Sequence, residues 1–141
     1  MRKLTEKLLL ASNVAIFWAY GIGFLAAPRA LGEQLGIQLT NATALADFRA
    51  MYSGLCLACG FVFFRGLRDA TWRVPALWLA TLSAAGLALG RVATLVLDGV
   101  TSPIILGFLG SEVVAVVAGA YVLMGPLTPA AASTLAAAPP R

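Results

Sequence analysis

The sequence contains two consecutive apolar stretches, VPALWLATLSAAGLALGRVATLVL at residues 74–97 and PIILGFLGSEVVAVVAGAYVLM at residues 103–124, separated by the short sequence DGVTS. Each stretch is long enough to cross the hydrocarbon core of a bilayer, which requires about 20 predominantly apolar residues. Asp98-Gly99 is typical of a turn, and Ser102-Pro103 is typical of an N-cap followed by the first helical residue. The pattern therefore predicts a transmembrane helical hairpin.

Two further apolar runs precede this hairpin, at residues 8–27 and 48–64. Of the 141 residues, 60% are hydrophobic and 11% are charged, and the mean hydropathy is +0.89. A soluble domain carries about 25% charged residues, so this composition excludes an ordinary soluble enzyme, a disordered chain and a fibrous repeat. It predicts an all-α integral membrane protein whose single domain, residues 1–125, is a four-helix bundle.

The segments that connect and follow the four runs are short. Residues 29–46 are too polar to span a bilayer and carry scattered aliphatic side chains, which predicts a short amphipathic segment at the interface. Thr71 is the expected N-cap of the third helix, with Pro75 in the first turn, where its missing N–H costs little. Gly125-Pro126 is a typical helix stop, and the Pro/Ala-rich composition of residues 126–141 predicts a mobile tail.

Lysine and arginine side chains are distributed unevenly between the two sides of the predicted bundle. One side has Arg2, Lys3, Lys7, Arg65, Arg68, Arg73 and Arg141, whereas the other has Arg29, with Arg49 near its boundary. Because basic residues predominate in cytoplasmic loops, we expect a bacterial inner-membrane protein with both termini in the cytoplasm. A net charge of +4 could suggest nucleic acid, but the basic residues lie between apolar runs, which favours anionic lipid headgroups as partners and no nucleic acid. The first run also resembles a signal peptide, but it exceeds the usual apolar length of about 7–15 residues, which favours a retained span.

Small residues recur at four-residue spacing in every predicted span. They are Ala11, Ala15, Ala19 and Gly23; Ala50, Gly54 and Ala58; Gly86 and Gly90; and Ser111, Ala115 and Gly119. Small side chains allow the close backbone approach that holds helices together in lipid. We expect these faces to pack the bundle tightly, and the same faces could join copies of the chain into a homo-oligomer.

Two ionisable residues lie deep within the predicted hairpin. Arg91 is seven residues before Asp98 and Glu112 is nine residues after Pro103, which places them about 10 Å and about 13 Å from the same membrane face at a rise of about 1.5 Å per residue. An unpaired charge near the centre of a span costs on the order of 3 kcal/mol. We therefore expect Arg91 and Glu112 to be close neighbours that pair.

Polar residues of the second span point to the same half of the bundle. Arg49, Tyr52 and Ser53 follow the three- and four-residue spacing of one helical face, and Asp47 lies beside them. The predicted ligand-binding residues are Arg49, Tyr52, Ser53, Arg91, Asp98 and Glu112, and the candidate catalytic residues are Glu112, Asp47 and Tyr52. The alternative is a buried ion-pair network that only sets the helix register.

The chain has no histidine and two cysteines, Cys56 and Cys59. The absence of histidine removes the commonest metal ligand and the usual general base near neutral pH, so no metal and no cofactor is expected. The C-x-x-C spacing resembles that of quinone-linked disulfide oxidoreductases, but those enzymes need a second cysteine pair. We expect the two cysteines to act as small buried apolar residues.

Several short motifs, taken in order, resemble a bacterial family of small four-helix membrane proteins that is catalogued as a domain of unknown function, the 4345-type family. The motifs are D-x-R-A-x-Y-x-G at residues 47–54 and the series Gly90-Arg91, Asp98-Gly99, Ser102-Pro103 and Glu112. The similarity extends from about residue 8 to residue 123, and Ser53 stands where many relatives are expected to have glycine. The resemblance implies a four-helix inner-membrane protein and supplies no substrate.

These residues favour a membrane protein that binds a small amphipathic or lipid-like ligand. Arg49 and Arg91 would bind an anionic or carbonyl group, with Glu112 as counter-ion or proton donor. A second hypothesis is an acid–base enzyme acting on a lipid or isoprenoid, in which Glu112 or Asp47 transfers the proton and Tyr52 polarises an oxygen. A third hypothesis is a small proton-coupled transporter that uses Glu112. A fourth is an accessory subunit of a larger membrane complex.

Overall fold

The computed structural model describes residues 1–100 and 102–125, and all regular secondary structure in these two ranges is helical. The elements are α1 (Arg2–Ala26), α2 (Pro28–Gln34), α3 (Ala42–Phe48), a π-helical segment (Arg49–Gly54), α4 (Leu55–Arg68), α5 (Ala70–Leu97) and α6 (Pro103–Leu123). The predicted tail, residues 126–141, lies outside the described residues.

Within the two described ranges, four helical rods are long and apolar enough to cross a membrane. They are α1 with 25 residues, the continuous rod Ala42–Arg68 with 27, α5 with 28 and α6 with 21. In lipid a helix satisfies its own backbone hydrogen bonds, which is why such apolar stretches become helices. The predicted all-α four-helix bundle with a short helix after the first span is confirmed, and the membrane limits drawn at residues 8–27, 48–64, 74–97 and 103–124 stay predictions.

The rods pack in chain order: α1 contacts α4, α4 contacts α5, α5 contacts α6, and α6 returns to α1. We call the end of the bundle where α1 begins the N-terminal end. The opposite end, where α2 and the connection from α5 to α6 lie, is the α2 end. The main hydrophobic core lies towards the N-terminal end and includes Leu10, Phe63, Ala76 and Val122. Dense apolar packing fills this half of the bundle.

Polar contacts join the helices at the N-terminal end. The guanidinium of Arg2 donates hydrogen bonds to the Val122 carbonyl oxygen at the end of α6, where a cation also complements the helix dipole. Arg73 of α5 forms an ion pair with Glu6 of α1, with 3.0 Å between Nε and Oε1. These contacts, together with the core, hold four helix ends in place.

Helix caps show where the sequence rules held and where they failed. The Ser102 hydroxyl accepts a hydrogen bond from the Ile105 N–H, which confirms Ser102 as the N-cap of α6. Asp69, and not Thr71, caps α5, because its carboxylate accepts from both the backbone N–H and the hydroxyl of Thr71. Helix α5 consequently begins at Ala70, and Pro75 lies inside the helix instead of in its first turn.

The Asp69 cap lies in the connection between α4 and α5. Hydrogen bonds from the backbone N–H and then the hydroxyl of Thr71 lower the pKa of the Asp69 carboxyl, and the nearby Arg65 guanidinium lowers it further. Arg65 also pairs with Asp69 directly, with 2.9 Å between Nη2 and Oδ2. The carboxylate is thus held in the charged form that a helix N-terminus favours.

The second rod begins earlier than its apolar composition indicates. Asn41 is its N-cap, with the side-chain oxygen accepting from the Ala44 N–H at 2.8 Å. The helix therefore starts at Ala42, six residues before the predicted Phe48. A capping side chain and not hydropathy determines where the backbone becomes helical.

Glycines mark close helix contacts in some spans but not in all. A Cβ on Gly60 would overlap the Trp18 ring, and a Cβ on Gly119 would overlap the Thr81 side chain. By contrast, Gly86 and Gly90 are exposed, and apart from the adjacent backbone of the same helix no described atom lies within 4 Å of a Cβ built there. The expectation that every small-residue stripe packs the bundle is therefore wrong. The stripe residues Ala11, Ala15 and Ala19 of α1 and Ala50, Gly54 and Ala58 of the second rod are exposed as well, so these faces, like that of α5, point away from the bundle interior. A contact between copies through these faces stays a prediction.

The topology can be tested with reporter fusions. If the arginines at the N-terminal end of the bundle face the cytoplasm, a reporter fused after Arg141 should be active only as a cytoplasmic reporter. A reporter inserted in residues 32–40, near α2, should be active only on the other side. Paired fusions of a periplasm-active phosphatase and a cytoplasm-active fluorescent protein measure this, and a phosphatase-active C-terminus would contradict the assigned orientation.

Candidate functional site

The hairpin of α5 and α6 carries a buried ion pair. The Nε–H of Arg91 donates to Oε1 of Glu112 at 2.8 Å. Glu112 is 8% exposed, although carboxylates are almost never buried unless they are paired. The pairing predicted from equal depth on two antiparallel helices is confirmed.

Only part of this pair's hydrogen-bonding capacity is used. Oε2 of Glu112 is buried and has no hydrogen-bond partner in residues 1–100 and 102–125. The Arg91 guanidinium carbon lies 4.8 Å from the centre of the Phe108 ring, and the Arg91 side chain is 30% exposed. A buried acceptor without a donor costs about 1–3 kcal/mol, and more when it is charged. The pair thus presents an open acceptor inside the bundle beside a partly accessible guanidinium.

The predicted residues of the second rod lie against α1. The buried Ser53 hydroxyl donates to the Gly21 carbonyl oxygen at 2.7 Å. The Tyr52 ring stacks on Phe48 at 4.6 Å between centroids and meets the edge of Phe24 at 5.6 Å. Ser53 is therefore a helix-to-helix contact, and Tyr52 belongs to an aromatic cluster at the α2 end.

The charged residues predicted to join them are exposed. Arg49 starts the π-helical segment, Asp47 lies on α3, and Asp98 ends α5. None of the three forms an ion pair with another described residue. Of the predicted site residues, the structure brings together Arg91 and Glu112, and it leaves Arg49, Tyr52, Ser53 and Asp98 outside this pair.

The π-helical segment lies apart from the helices that carry the ion pair. Its packing is against α1, α3 and α4, with at most marginal contact to α5 or α6. A π-helical turn holds more residues than an α-helical turn, so the face counted at 3.6 residues per turn does not continue through Arg49–Gly54. π-helical turns occur frequently at functional sites, but no sequence signal used above identifies one.

A second polar feature, which the sequence analysis missed, lies at the α2 end. A half-open cleft of about 310 Å³ is lined by Arg29, Glu33, Gln38, Leu39 and Thr40. Arg29 Nη1 donates to the Leu39 carbonyl oxygen at 2.8 Å. The signal that could have indicated it is the pair of opposite charges one turn apart on α2, at positions 29 and 33.

A known family model matches most of the chain. The sequence profile of a domain of unknown function, DUF4345, matches residues 5–124. The chain belongs to this family. No curated protein and no solved structure matches the chain. The DUF4345 match includes most of all four long helices together with the Arg91–Glu112 pair, so the resemblance found in the sequence motifs is confirmed.

The two cysteines of this DUF4345 domain lie one turn apart on α4, and both are partly buried thiols. The metal-binding side chains within the described ranges form no cluster of three or more. We expect the double change Cys56→Ala with Cys59→Ala to alter the unfolding temperature by no more than a few degrees, because buried cysteine behaves as a small apolar residue.

Thermal unfolding in detergent, with and without dithiothreitol, tests the cysteine prediction. Cys56→Ala alone serves as the matched control for a disulfide, because it leaves one thiol in place. A gel shift that depends on reductant in the wild type and is absent from both variants would contradict the prediction.

Proposed function

We propose that this membrane protein binds the polar end of a small amphipathic or lipid-like molecule at the Arg91–Glu112 pair. The observation that carries the proposal is the buried Glu112 Oε2, which accepts no hydrogen bond from the described chain. Such an atom is costly unless a donor reaches it, and ionisable groups inside membrane bundles commonly belong to ligand, ion or proton sites.

The free groups of the pair define the chemistry of the ligand. Glu112 Oε2 requires a hydrogen-bond donor, such as a hydroxyl, amide or ammonium group. The described hydrogen bonds use the Nε–H of Arg91, which leaves the terminal amino groups available to an oxygen of the same ligand. The Phe108 ring beside Arg91 offers an apolar surface to a hydrocarbon or ring portion.

Access to the pair is from the side of the bundle. Leu87, four residues before Arg91 on α5, is 52% exposed, and Phe108 on α6 is 37% exposed. A molecule dissolved in the hydrocarbon phase could therefore approach Arg91 without crossing a packed core. This supports an amphipathic ligand taken from the bilayer.

The packing elsewhere favours binding over transport. Towards the N-terminal end, the interior beyond Glu112 is filled by the core around Phe63, Leu77 and Val122. A proton-coupled transporter would need polar groups along that path. Acid–base catalysis would need a second group at the pair, and the candidates Asp47 and Tyr52 lie on the rod that packs against α1.

The proposal is tested by the molecules that co-purify with the protein. We expect organic extracts of detergent-purified wild type to contain a lipid-like compound in stoichiometric amount, and extracts of the double variant Arg91→Met with Glu112→Gln to lack it. The matched control is Arg73→Met with Glu6→Gln, which removes a second Arg–Glu pair between helices. Mass spectrometry of the extracts is the measurement.

The outcomes discriminate between the hypotheses. Loss of the compound from the Arg91/Glu112 variant but not from the Glu6/Arg73 variant supports the proposal. Retention in both, or no enriched compound in the wild type, would refute it and favour a structural role for the ion pair. Chemical conversion of the compound by the wild type in proteoliposomes would favour the enzyme hypothesis.

A further inference from the structure

The connection between α1 and α3 folds into a small lobe at the α2 end. Helix α2 is followed by a tight turn at Gly36, whose φ of +74° suits glycine. The Ile37 N–H then donates to the Gly32 carbonyl oxygen at 2.8 Å. Leu39 packs on Phe24 and the neighbouring aromatic residues. The lobe is thus anchored by its apolar side and has a built polar side.

The polar side of this lobe is the cleft of about 310 Å³ described above. Arg29 and Glu33 enter it from consecutive turns of α2, and Gln38 and Thr40 enter from the returning chain. The hydrogen bond from Arg29 Nη1 to the Leu39 carbonyl oxygen orients the guanidinium. Glu33 forms neither an ion pair nor a side-chain hydrogen bond with any residue that the structure describes.

The two opposite charges of α2 on the cleft wall do not pair with each other. Residues four apart on a helix face each other, so Arg29 and Glu33 could pair directly. They do not pair in the structure, whose ion pairs among described residues involve other side chains. One fixed cation and one free anion thus lie on the same cleft, together with an amide and a hydroxyl.

We infer that this cleft binds a zwitterion that carries a phosphate and a primary ammonium group, as in the phosphoethanolamine headgroup of a membrane lipid. The guanidinium of Arg29 suits a phosphate, and an ammonium has three N–H donors for Glu33, Gln38 and Thr40. Helix α1 ends at Ala26, three residues before Arg29, so the cleft lies beside the end of an apolar rod. Lipid headgroups occupy that depth.

The inference is tested by native mass spectrometry of detergent-purified protein with three lipids of identical acyl chains. Phosphatidylethanolamine has both groups, phosphatidylglycerol lacks the ammonium, and phosphatidylcholine has an ammonium that cannot donate hydrogen bonds. We expect the wild type to prefer phosphatidylethanolamine by up to about fivefold, the upper end of the range for an exposed ion pair.

Two variants test which groups cause the preference. Glu33→Gln should bind phosphatidylethanolamine and phosphatidylcholine equally, and it should fold normally because Glu33 is exposed. The matched control is Asp47→Asn, which removes a different exposed carboxylate, located on α3. This variant should keep the preference for phosphatidylethanolamine. Equal binding of the three lipids by the wild type, or an unchanged preference in Glu33→Gln, would overturn the inference.

The source of the zwitterion is identified in the same experiment. Displacement of the lipid by soluble O-phosphoethanolamine at millimolar concentration would support the site and assign it to a soluble zwitterion. Binding that requires the acyl chains would support the site and assign it to the lipid.

Discussion

Glu112→Gln alone should lower the free energy of unfolding by about 3 kcal/mol, because it leaves the Arg91 guanidinium without its counter-ion in a low-dielectric interior. Arg91→Met alone should have an effect of similar size, since it leaves the buried Glu112 carboxylate unpaired. The double variant should recover most of the loss. Removing both charges leaves no uncompensated group, and paired replacement of a buried ion pair is often close to neutral.

Thermal unfolding of the four proteins in detergent measures this coupling. The same cycle at Glu6 and Arg73 is the matched control, because that pair joins α1 and α5 at the N-terminal end with a more exposed carboxylate. Its coupling should be smaller than that between Arg91 and Glu112, because its carboxylate is more exposed and therefore better screened. Additive effects of the Arg91 and Glu112 variants would contradict the contact described here. Recovery of stability without recovery of bound ligand would separate a binding site from a structural clamp.

Gly119→Ala should destabilise the bundle by about 2–3 kcal/mol, at the upper part of the range for overpacked cores. The added Cβ would overlap the Thr81 hydroxyl and would lie 3.0 Å from the Thr81 Cβ. Rotating Thr81 does not relieve the second contact, and its hydroxyl already donates to the Leu77 carbonyl oxygen at 2.8 Å. Helices α5 and α6 would have to move apart.

Gly107→Ala is the matched control for this prediction. Gly107 is also on α6, but apart from the adjacent backbone of α6 itself no described atom lies within 4 Å of a Cβ built there. It should be neutral or stabilising by up to about 1 kcal/mol, the difference in helix propensity between alanine and glycine. An unfolding temperature that is lowered equally in Gly119→Ala and Gly107→Ala would contradict the packing of Gly119 against Thr81.

The Arg91–Glu112 pair was predictable because its two depths depend on local geometry alone. A rise of about 1.5 Å per residue and a short turn place both side chains at one level. Which atoms of the pair remain free was not predictable. The partial exposure of Arg91, the Phe108 ring beside it and the unpaired Glu112 Oε2 follow from how α5 and α6 are rotated about their axes.

The predicted site on the second rod could not be located from helix periodicity. Arg49, Tyr52 and Ser53 share a face only if the helix keeps 3.6 residues per turn, and the structure has a π-helical segment there. The Ser53 hydroxyl contacts the backbone of α1, 32 residues away in sequence. The polar cleft near α2 was also missed. Its walls come from two segments that meet only after the chain turns at Gly36.

Local sequence therefore accounts for four apolar helices, the cap at Ser102, and the depth of each charge, whereas the cap at Asn41 was not predicted. These properties depend on hydrophobic length, on one capping side chain and on a constant rise per residue. The choice of helix neighbours, the outward direction of Gly86 and Gly90, and the open acceptor on Glu112 arose in the tertiary structure. Lipid is as apolar as the helix surfaces, so hydropathy does not determine which face of a helix contacts its neighbours. Close packing between residues that are distant in sequence determines it.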